Sequence, residues 1–289
     1  MGYLNFYGIK EPPFANVPDL RFFYDQAPYD EAMKRVLSCV DDGKRVVTVI
    51  GGIGMGKTVI SRKVLSMYEA DENYEVGLQV CFHSDMGPGW FMRKLALKLH
   101  LVVKENESNF EKVTEKYAKI CEKGAHGIVI IDEASMIDSQ SVYEEIRGLI
   151  DFMADNNLKF TVLFFGLPVF ETKLAKNEPL LHRVESRIVL KPLATSTEVK
   201  KYMLHRLNVA GCEKPVFTDE AIVRLNETAK GNPRLINILS DNALTEGYLA
   251  KQEKVTEKEI DRVIIDMGYN TRLKSLFVEV AKSSQQKSV

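Results

Sequence analysis

The sequence predicts an α/β fold, in which flanking helices cover a five-stranded parallel sheet and a smaller all-helical domain follows. Up to residue 190, short apolar runs alternate with segments of helical period. This alternation is typical of a parallel sheet covered by helices. Beyond Lys191 the strand pattern ends, and helical segments separated by glycines follow one another. With 289 residues, 45% of them hydrophobic, the chain is long enough to bury both cores.

Apolar runs define the strands of the sheet, and periodic segments define the helices between them. In the segment 90–101, Phe91, Leu95 and Leu99 recur every four residues, which favours a helix with one face in the core. The expected strands are 46–50, 76–82, 127–131, 159–165 and 187–190, and the expected helices between them are 57–68, 90–101, 110–122, 141–153 and 168–176.

Capping patterns mark the helix starts of the C-terminal domain. Thr195 and Thr256 are each followed by glutamate three residues later, as in a capping box. Asn232 offers an N-cap, and Pro233 suits the first position of a helix. The expected divisions are an N-terminal strap with the first core helix (1–44), the α/β core (45–191), the helical domain (192–268) and a polar tail (269–289).

Composition limits the compartment and the partners. The net charge of −1 does not indicate a basic surface over the whole protein, although it is compatible with a local basic patch. No secretory signal opens the chain, and no apolar stretch approaches the roughly 20 residues that cross a bilayer. We therefore expect a cytoplasmic protein without a membrane span. The cysteines lie far apart, which favours buried free thiols in a reducing compartment: Cys39, Cys81, Cys121 and Cys212.

Residues 51–58 fit the phosphate-binding pattern G-x-x-x-x-G-K-[ST], between an expected strand and an expected helix. Its glycines let backbone N–H groups turn toward phosphate oxygens, and Lys57 adds a positive charge at the β- and γ-phosphates. Thr58 offers a hydroxyl ligand to Mg²⁺, and the helix N-terminus favours an anion. The chain is therefore expected to bind ATP and Mg²⁺ through Gly51, Gly52, Ile53, Gly54, Met55, Gly56, Lys57, Thr58 and Val59, with Asp132.

Asp132 and Glu133 end an apolar strand about 75 residues after Lys57, the arrangement known as Walker B. In this interpretation Asp132 binds Mg²⁺ through the water molecules that coordinate the ion, and Glu133 activates the attacking water. A carboxylate pair of this kind also commonly marks a helix start after a strand, but the upstream phosphate loop favours the catalytic interpretation. The glutamate favours ATP hydrolysis over a P-loop kinase, whose nucleophile is a substrate hydroxyl.

Three arginines resemble those of the AAA+ class of ATPases. Arg187 follows Ser186 just before the last strand, Arg183 lies four residues earlier, and Arg234 follows Gly231-Asn232-Pro233. The resemblance implies that Arg187, with Arg183 in reserve, completes the nucleotide site of a neighbouring subunit, so that the protein forms a homo-oligomer. It also implies that Arg234 reaches the γ-phosphate from a helical lid. Surface ion pairs, or a solvent-facing position for Arg234, are the alternatives.

Residues 6–14 (FYGIKEPPF) and 231–237 (GNPRLIN) resemble the ExeA-like AAA+ ATPases, the general secretion pathway protein A family, with similarity over about residues 3–267. The resemblance implies that the proline- and aromatic-rich strap packs over the sheet near the adenine. Two departures stand out. Leu167 occupies the position where the family has a polar sensor 1 residue, so either a neighbour takes that role or hydrolysis is slow. The sequence also ends at Val289, without the membrane span and peptidoglycan-binding domain of secretion-type members.

Two uses of ATP remain open. One is action on a protein partner in secretion or envelope assembly. The other is an ATP-dependent DNA-binding targeting switch, because the same core resembles the DNA-transposition ATPases. A path for double-stranded DNA and an ordinary solvated helix face are both compatible with the basic residues Lys34, Arg35, Lys44, Arg45, Arg93, Lys94 and Lys98.

Overall fold

The computed structural model of the protein describes residues 2–81, 86–103 and 109–269. The chain divides into two compact units, one of residues 25–191 and one that combines residues 1–24 with residues from 192 onward. The expected polar tail lies outside the described residues beyond Tyr269, as does the expected end of the second strand at Phe82.

The first unit contains the sheet. Its strands are β1 (Val46–Ile50), β2 (Tyr74–Val80), β3 (His126–Asp132), β4 (Phe160–Gly166) and β5 (Ser186–Val189). They pair in parallel in the order β2-β3-β4-β1-β5, which confirms the predicted five-stranded parallel sheet.

Register brings the carboxyl ends of the central strands to one edge. Ile50, the last residue of β1, lies opposite Gly166 of β4, and Ile131 of β3 lies opposite Phe164 of β4. The segments that follow β1, β3 and β4 therefore leave the sheet side by side. Ligands of open α/β sheets bind at such an edge.

Twelve helices are described. In chain order they are α1 (Tyr3–Tyr7), α2 (Tyr29–Asp41), α3 (Lys57–Tyr68), α4 (Trp90–Lys98), α5 (Asn109–Cys121), α6 (Gln140–Asp155), α7 (Val169–Leu174), α8 (Glu178–Leu181), α9 (Ser196–Val209), α10 (Asp219–Ala229), α11 (Pro233–Leu249) and α12 (Glu257–Asp266). Helices α3 to α7 correspond to the five helices predicted between the strands.

The core of the first unit forms where the apolar strands meet the apolar faces of these helices. Every residue of β1, β3 and β4 is buried, as expected of strands covered on both faces. Phe91, Leu95 and Leu99 of the α4 segment are buried in the same cluster, which confirms the predicted stripe. The rigid sheet edge that results supports the segments that carry the site.

In the second unit, the predicted helix starts are confirmed. Thr195 and Thr256 form complete capping boxes at α9 and α12. The side chain of Asn232 accepts hydrogen bonds from the backbone N–H groups of Arg234 and Leu235, at 3.0 and 3.2 Å. These bonds satisfy donors that the first turn of α11 leaves open.

The N-terminal strap belongs to this helical unit, whereas the sequence pattern groups it with the core and the resemblance places it over the sheet. The buried guanidinium of Arg206 donates hydrogen bonds to the carbonyls of Pro13, at 2.6 Å, and Ala15, at 3.1 Å. It also lies 4.8 Å from the ring centre of Phe22. A proline-rich segment cannot pair its carbonyls in a regular ladder, so a buried arginine that supplies several donors holds it in place.

Two further expectations can be compared with the structure. None of the four cysteines forms a disulfide, and Cys81, Cys121 and Cys212 are buried while Cys39 is half-buried. Among the residues that the structure describes, no helix has the length and apolar character required to span a membrane.

Candidate nucleotide site

The loop 51–56 leaves β1 and enters α3 at the carboxyl edge of the sheet. Gly54 and Gly56 adopt φ values of +78° and +84°, a region that side chains with a Cβ rarely occupy. Within the described part of the chain, the backbone N–H groups of Gly54, Gly56, Lys57 and Thr58 have no hydrogen-bond partner. Unpaired N–H groups that are clustered at a helix N-terminus are suited to bind a phosphate group.

Lys57 lies inside the loop and is only 5% exposed. Its Nζ donates hydrogen bonds to the carbonyl oxygens of Gly51, at 2.9 Å, and Gly52, at 3.0 Å. Burial lowers the pKa of this ammonium, and the nearby carboxylates of Glu133 and Asp132 partly oppose that shift. A positive charge is thus held where the loop, β1 and the carboxylates meet.

Asp132 is the last residue of β3, and its carboxylate is almost fully buried. One oxygen, Oδ2, accepts a hydrogen bond from the hydroxyl of Ser61 at 3.2 Å, and the other accepts from the backbone N–H of Glu133 at 3.0 Å. Ser61 lies on α3, one turn after Lys57, and also contacts the carbonyl oxygen of Thr58 at 3.1 Å. The serine therefore links the helix of the phosphate loop to the carboxylate.

The oxygens of Thr58 and Asp132 are the predicted Mg²⁺ ligands. Ser61 contacts the carboxylate of Asp132 and the backbone carbonyl of Thr58, so the residues that carry the two predicted ligands are neighbours. Hydroxyl and carboxylate oxygens are ligands that suit Mg²⁺, so this donor set fits the ion. The motif patterns do not mark Ser61; only its spacing of four residues from Lys57, which places both on one helix face, could have revealed it.

Glu133 adopts the left-handed conformation with φ +53°. Such a conformation is uncommon for a residue with a side chain, and residues of this kind cluster at functional sites. Its backbone N–H is fixed by Asp132, and a short 3₁₀ turn from Ala134 to Met136 follows. The turn holds Glu133 just beyond the end of β3, at the same sheet edge as the phosphate loop.

Comparison with known proteins identifies the class of this site. Residues 40–174 match the family model described as AAA domain. General secretion pathway protein A of Aeromonas hydrophila is 27% identical over 265 residues, which cover 89% of this chain. The chain therefore contains an AAA-domain segment and is similar over most of its length to this secretion protein. It spans 47% of the length of that relative.

Solved structures share the fold of this chain at low sequence identity. Cdc6p of Pyrobaculum aerophilum has a TM-score of 0.66 at 13% identity, with 86% of this chain and 71% of that chain covered. A Walker-type ATPase of Pyrococcus abyssi has a TM-score of 0.65 at 15% identity, with coverages of 96% and 80%. The Drosophila ORC bound to DNA has a TM-score of 0.64 at 14% identity, with coverages of 89% and 64%. These matches agree with the AAA+ fold class.

A hydroxyl lies beside Leu167, the residue that the family resemblance places at the sensor 1 position. The backbone N–H of Leu167 donates to the Oγ of Ser135 at 2.6 Å, and Ser135 is buried in the turn after Glu133. Lys173 donates to the carbonyl oxygen of Ser135 at 2.5 Å. Ser135 and Leu167 are 32 residues apart, so no local sequence pattern indicates this contact.

Arg183 precedes β5, and Arg187 lies within that strand rather than just before it; both form ion pairs within their own unit. Arg183 pairs with Asp151 through Nε at 2.5 Å and Nη2 at 2.8 Å. Arg187 pairs with Glu171 through Nε and through Nη2, the latter at 3.0 Å, and remains 56% exposed. Surface ion pairs are the alternative to the predicted role in a neighbouring subunit, and both arginines form such pairs here.

Arg234 belongs to the helical unit of the chain. It is exposed near the start of α11, where Asn232 caps the helix and Pro233 occupies the first turn. Gly231, just before this cap, has φ +69°, and a Cβ there would lie 2.0 Å from the carbonyl oxygen of Leu193. Only glycine fits at that position, so the direction in which α11 begins is closely fixed.

Proposed function

We propose that the protein is an ExeA-like AAA+ ATPase, which binds ATP with Mg²⁺ and hydrolyses it at a site that two copies of the chain share, so that nucleotide state controls self-assembly. The observation that supports this most is the hydrogen bond that joins Ser61 of the phosphate-loop helix to Asp132, with Lys57 buried in the loop and Glu133 in a left-handed conformation directly after Asp132. The phosphate loop would bind the triphosphate, and Lys57 would exchange its carbonyl partners for phosphate oxygens.

Each remaining residue has a separate role in the proposed reaction. Thr58 and Asp132 hold Mg²⁺, which when bound neutralises charge that develops on the phosphate oxygens. Glu133 accepts a proton from the attacking water as general base. Arg187 of a second copy stabilises the charge of the transferred phosphoryl group. Arg183 is the alternative candidate for this role. We assign residues 192–268 as a lid whose Arg234 approaches the γ-phosphate.

Slow turnover follows from the sensor 1 position in this proposal. The side chain of Leu167 is apolar and cannot orient the attacking water. The polar group beside it is the Oγ of Ser135, which contacts the backbone N–H of Leu167. Ser135 accepts that hydrogen bond and keeps its own proton for donation. We propose that the ATPase acts as a switch with a long ATP-bound state rather than as a fast motor.

We propose a protein partner in secretion or envelope assembly, on the ground of similarity to general secretion pathway protein A. Four cysteines without a disulfide support a reducing compartment, and we propose the cytoplasm. One observation favours a second candidate, double-stranded DNA. Arg93, Lys94 and Lys98 lie exposed along α4, and exposed basic residues at helical spacing suit contacts with a phosphate backbone.

ATPase activity and particle size, each measured with and without duplex DNA, test these proposals together. Particles that grow with ATP and shrink after hydrolysis would support nucleotide-controlled assembly, and a fixed size in both nucleotide states would contradict it. Stimulation by DNA that weakens steeply with salt would favour the switch on DNA. Lys57→Ala is the control, because loss of the ammonium should weaken ATP binding and abolish both responses.

A further inference from the structure

A glutamate holds the guanidinium of Arg187 in a fixed orientation. Both oxygens of Glu171 accept hydrogen bonds from it, one from Nε and the other from Nη2 at 3.0 Å. The hydrogen bond from Arg187 is the chief cause that lowers the pKa of Glu171, so the carboxylate stays charged at neutral pH. The third nitrogen of Arg187, Nη1, has no hydrogen-bond partner among the described residues. The two hydrogen bonds to Glu171 therefore fix one side of the guanidinium and leave the other side open.

The helix that carries Glu171 is tied to the segment that follows Glu133. This helix, α7, begins just after Leu167, whose N–H donates to the Oγ of Ser135 at 2.6 Å. Farther along α7, Lys173 donates to the carbonyl oxygen of Ser135 at 2.5 Å and pairs with Asp138 at 2.6 Å. Two attachments to one buried turn hold the helix in place at both ends.

Close packing also fixes α7 against the end of β4. Phe170, which precedes Glu171, is fully buried. A Cβ on Gly166 would lie 2.9 Å from the Cβ of Phe170, so the two backbones approach more closely than any larger residue would permit. The backbone that carries Glu171 therefore belongs to the same rigid edge of the sheet as Glu133.

We infer that Glu171 is a positioning residue, which presents Arg187 to the nucleotide of a second copy of the chain. This role rests on the proposed shared site. An arginine side chain has many rotamers, and an interface that must order it loses affinity by roughly two- to tenfold. A carboxylate that orders the side chain beforehand removes that cost, while Nη1 stays available for a phosphate oxygen. The attachment through Ser135 places this arginine on the same rigid body as the copy's own catalytic carboxylate.

A mixture of two defective variants isolates the effect of Glu171. The donor, Lys57→Ala, is impaired in ATP binding but supplies Arg187. The acceptor, Arg187→Ala, binds ATP but supplies no arginine. Donor is titrated into a fixed amount of acceptor, and ATP hydrolysis is measured at each step. Recovered hydrolysis reports the arginine of one copy acting at the site of the other.

Glu171→Gln placed in the donor should raise the donor concentration at half-maximal activity by about two- to tenfold. The same substitution in the acceptor should leave that concentration unmoved, because residue 187 there is alanine. A purely structural role of Glu171 would instead weaken both mixtures. Glu144→Gln in the donor is the matched control, since it removes another surface pair of the same unit, 2.6 Å from Arg147, and should leave the titration unchanged.

Each other outcome has a definite meaning. Recovery with equal effects of Glu171→Gln in donor and acceptor would overturn the positioning role and leave the shared site standing. A donor that acts at lower concentration after Glu171→Gln would mean that the carboxylate restrains Arg187, which also overturns the role. An absence of any recovery in the unmodified mixture would overturn the shared site, and the role of Glu171 with it.

Discussion

Ser61 offers a sharp test of how the site holds Mg²⁺. Its hydroxyl is fully buried and donates to Asp132 Oδ2 at 3.2 Å, and the remaining described contact of that carboxylate is the N–H of Glu133. Ser61→Ala removes one of two groups that orient the carboxylate and adds no bulk. We expect weaker binding of Mg²⁺ in the presence of ATP, with the reaction itself left intact.

The size of the effect follows from the kind of hydrogen bond that is lost. Groups that orient a metal ligand without touching the metal typically contribute 10- to 100-fold to affinity or activity. Ser61 is a neutral donor at a moderately long distance, so we expect the lower end, about tenfold. The hydroxyl carries one proton and also contacts the carbonyl of Thr58, which limits the effect further.

ATP hydrolysis measured across a range of Mg²⁺ concentrations is the assay. For Ser61→Ala, the Mg²⁺ concentration at half-maximal rate should rise about tenfold, and the rate at saturating Mg²⁺ should approach that of the unmodified protein. Ser66→Ala is the matched control, because Ser66 lies on the same helix, is exposed and donates a hydrogen bond to the carbonyl of Lys63. An unmoved midpoint, or a rate that saturating Mg²⁺ does not restore, would refute the assignment of Asp132 to the metal.

Two further predictions concern stability. Gly231→Ala should destabilise the helical unit by at least about 2 kcal/mol, because φ +69° and the 2.0 Å approach of the carbonyl oxygen of Leu193 both exclude a Cβ. Calorimetry should show a smaller loss of stability for Gly268→Ala, because Gly268 has φ +65° but open space around it. Burial lowers the pKa of His126 to about 4, from an ordinary value of 6.5. The folded state therefore binds fewer protons than the unfolded state, and stability present above pH 6.5 is lost as the pH falls toward 4. Denaturant titrations should show that unmodified protein loses about 1–2 kcal/mol more than His126→Gln between pH 7 and 5, and equal losses would contradict the assignment.

Local sequence signals predict the parts of the fold that depend on local chemistry. The observed bounds of β1 and α3 are identical to the predicted ones. The apolar run defines the strand, and the phosphate loop that follows it marks the end of β1 and the start of α3. The second strand starts two residues earlier than its apolar run, at Tyr74, because pairing with β3 extends it. The position of the strap depends on the guanidinium of Arg206, almost 200 residues away in the chain, and no local pattern encodes that contact.

The candidate site divides in the same way. Lys57, Asp132 and Glu133 belong to motifs and are visible in the sequence, whereas the residues that orient them are not. Ser61 contacts a carboxylate 71 positions away, and Ser135 contacts a backbone N–H 32 positions away. Such partners carry ordinary side chains, and only the parallel register of the sheet brings them together.

Glu133→Gln tests most directly the central proposal, that the protein hydrolyses ATP with Glu133 as general base. Equilibrium binding of ATP and steady-state hydrolysis should be measured on the same preparation, with Lys57→Ala as the variant expected to lose binding. We predict that Glu133→Gln keeps its ATP affinity within about twofold and loses at least about 100-fold in turnover. It should also accumulate any ATP-dependent oligomer. Retained turnover, or a loss of ATP binding as large as that of Lys57→Ala, would contradict the claim.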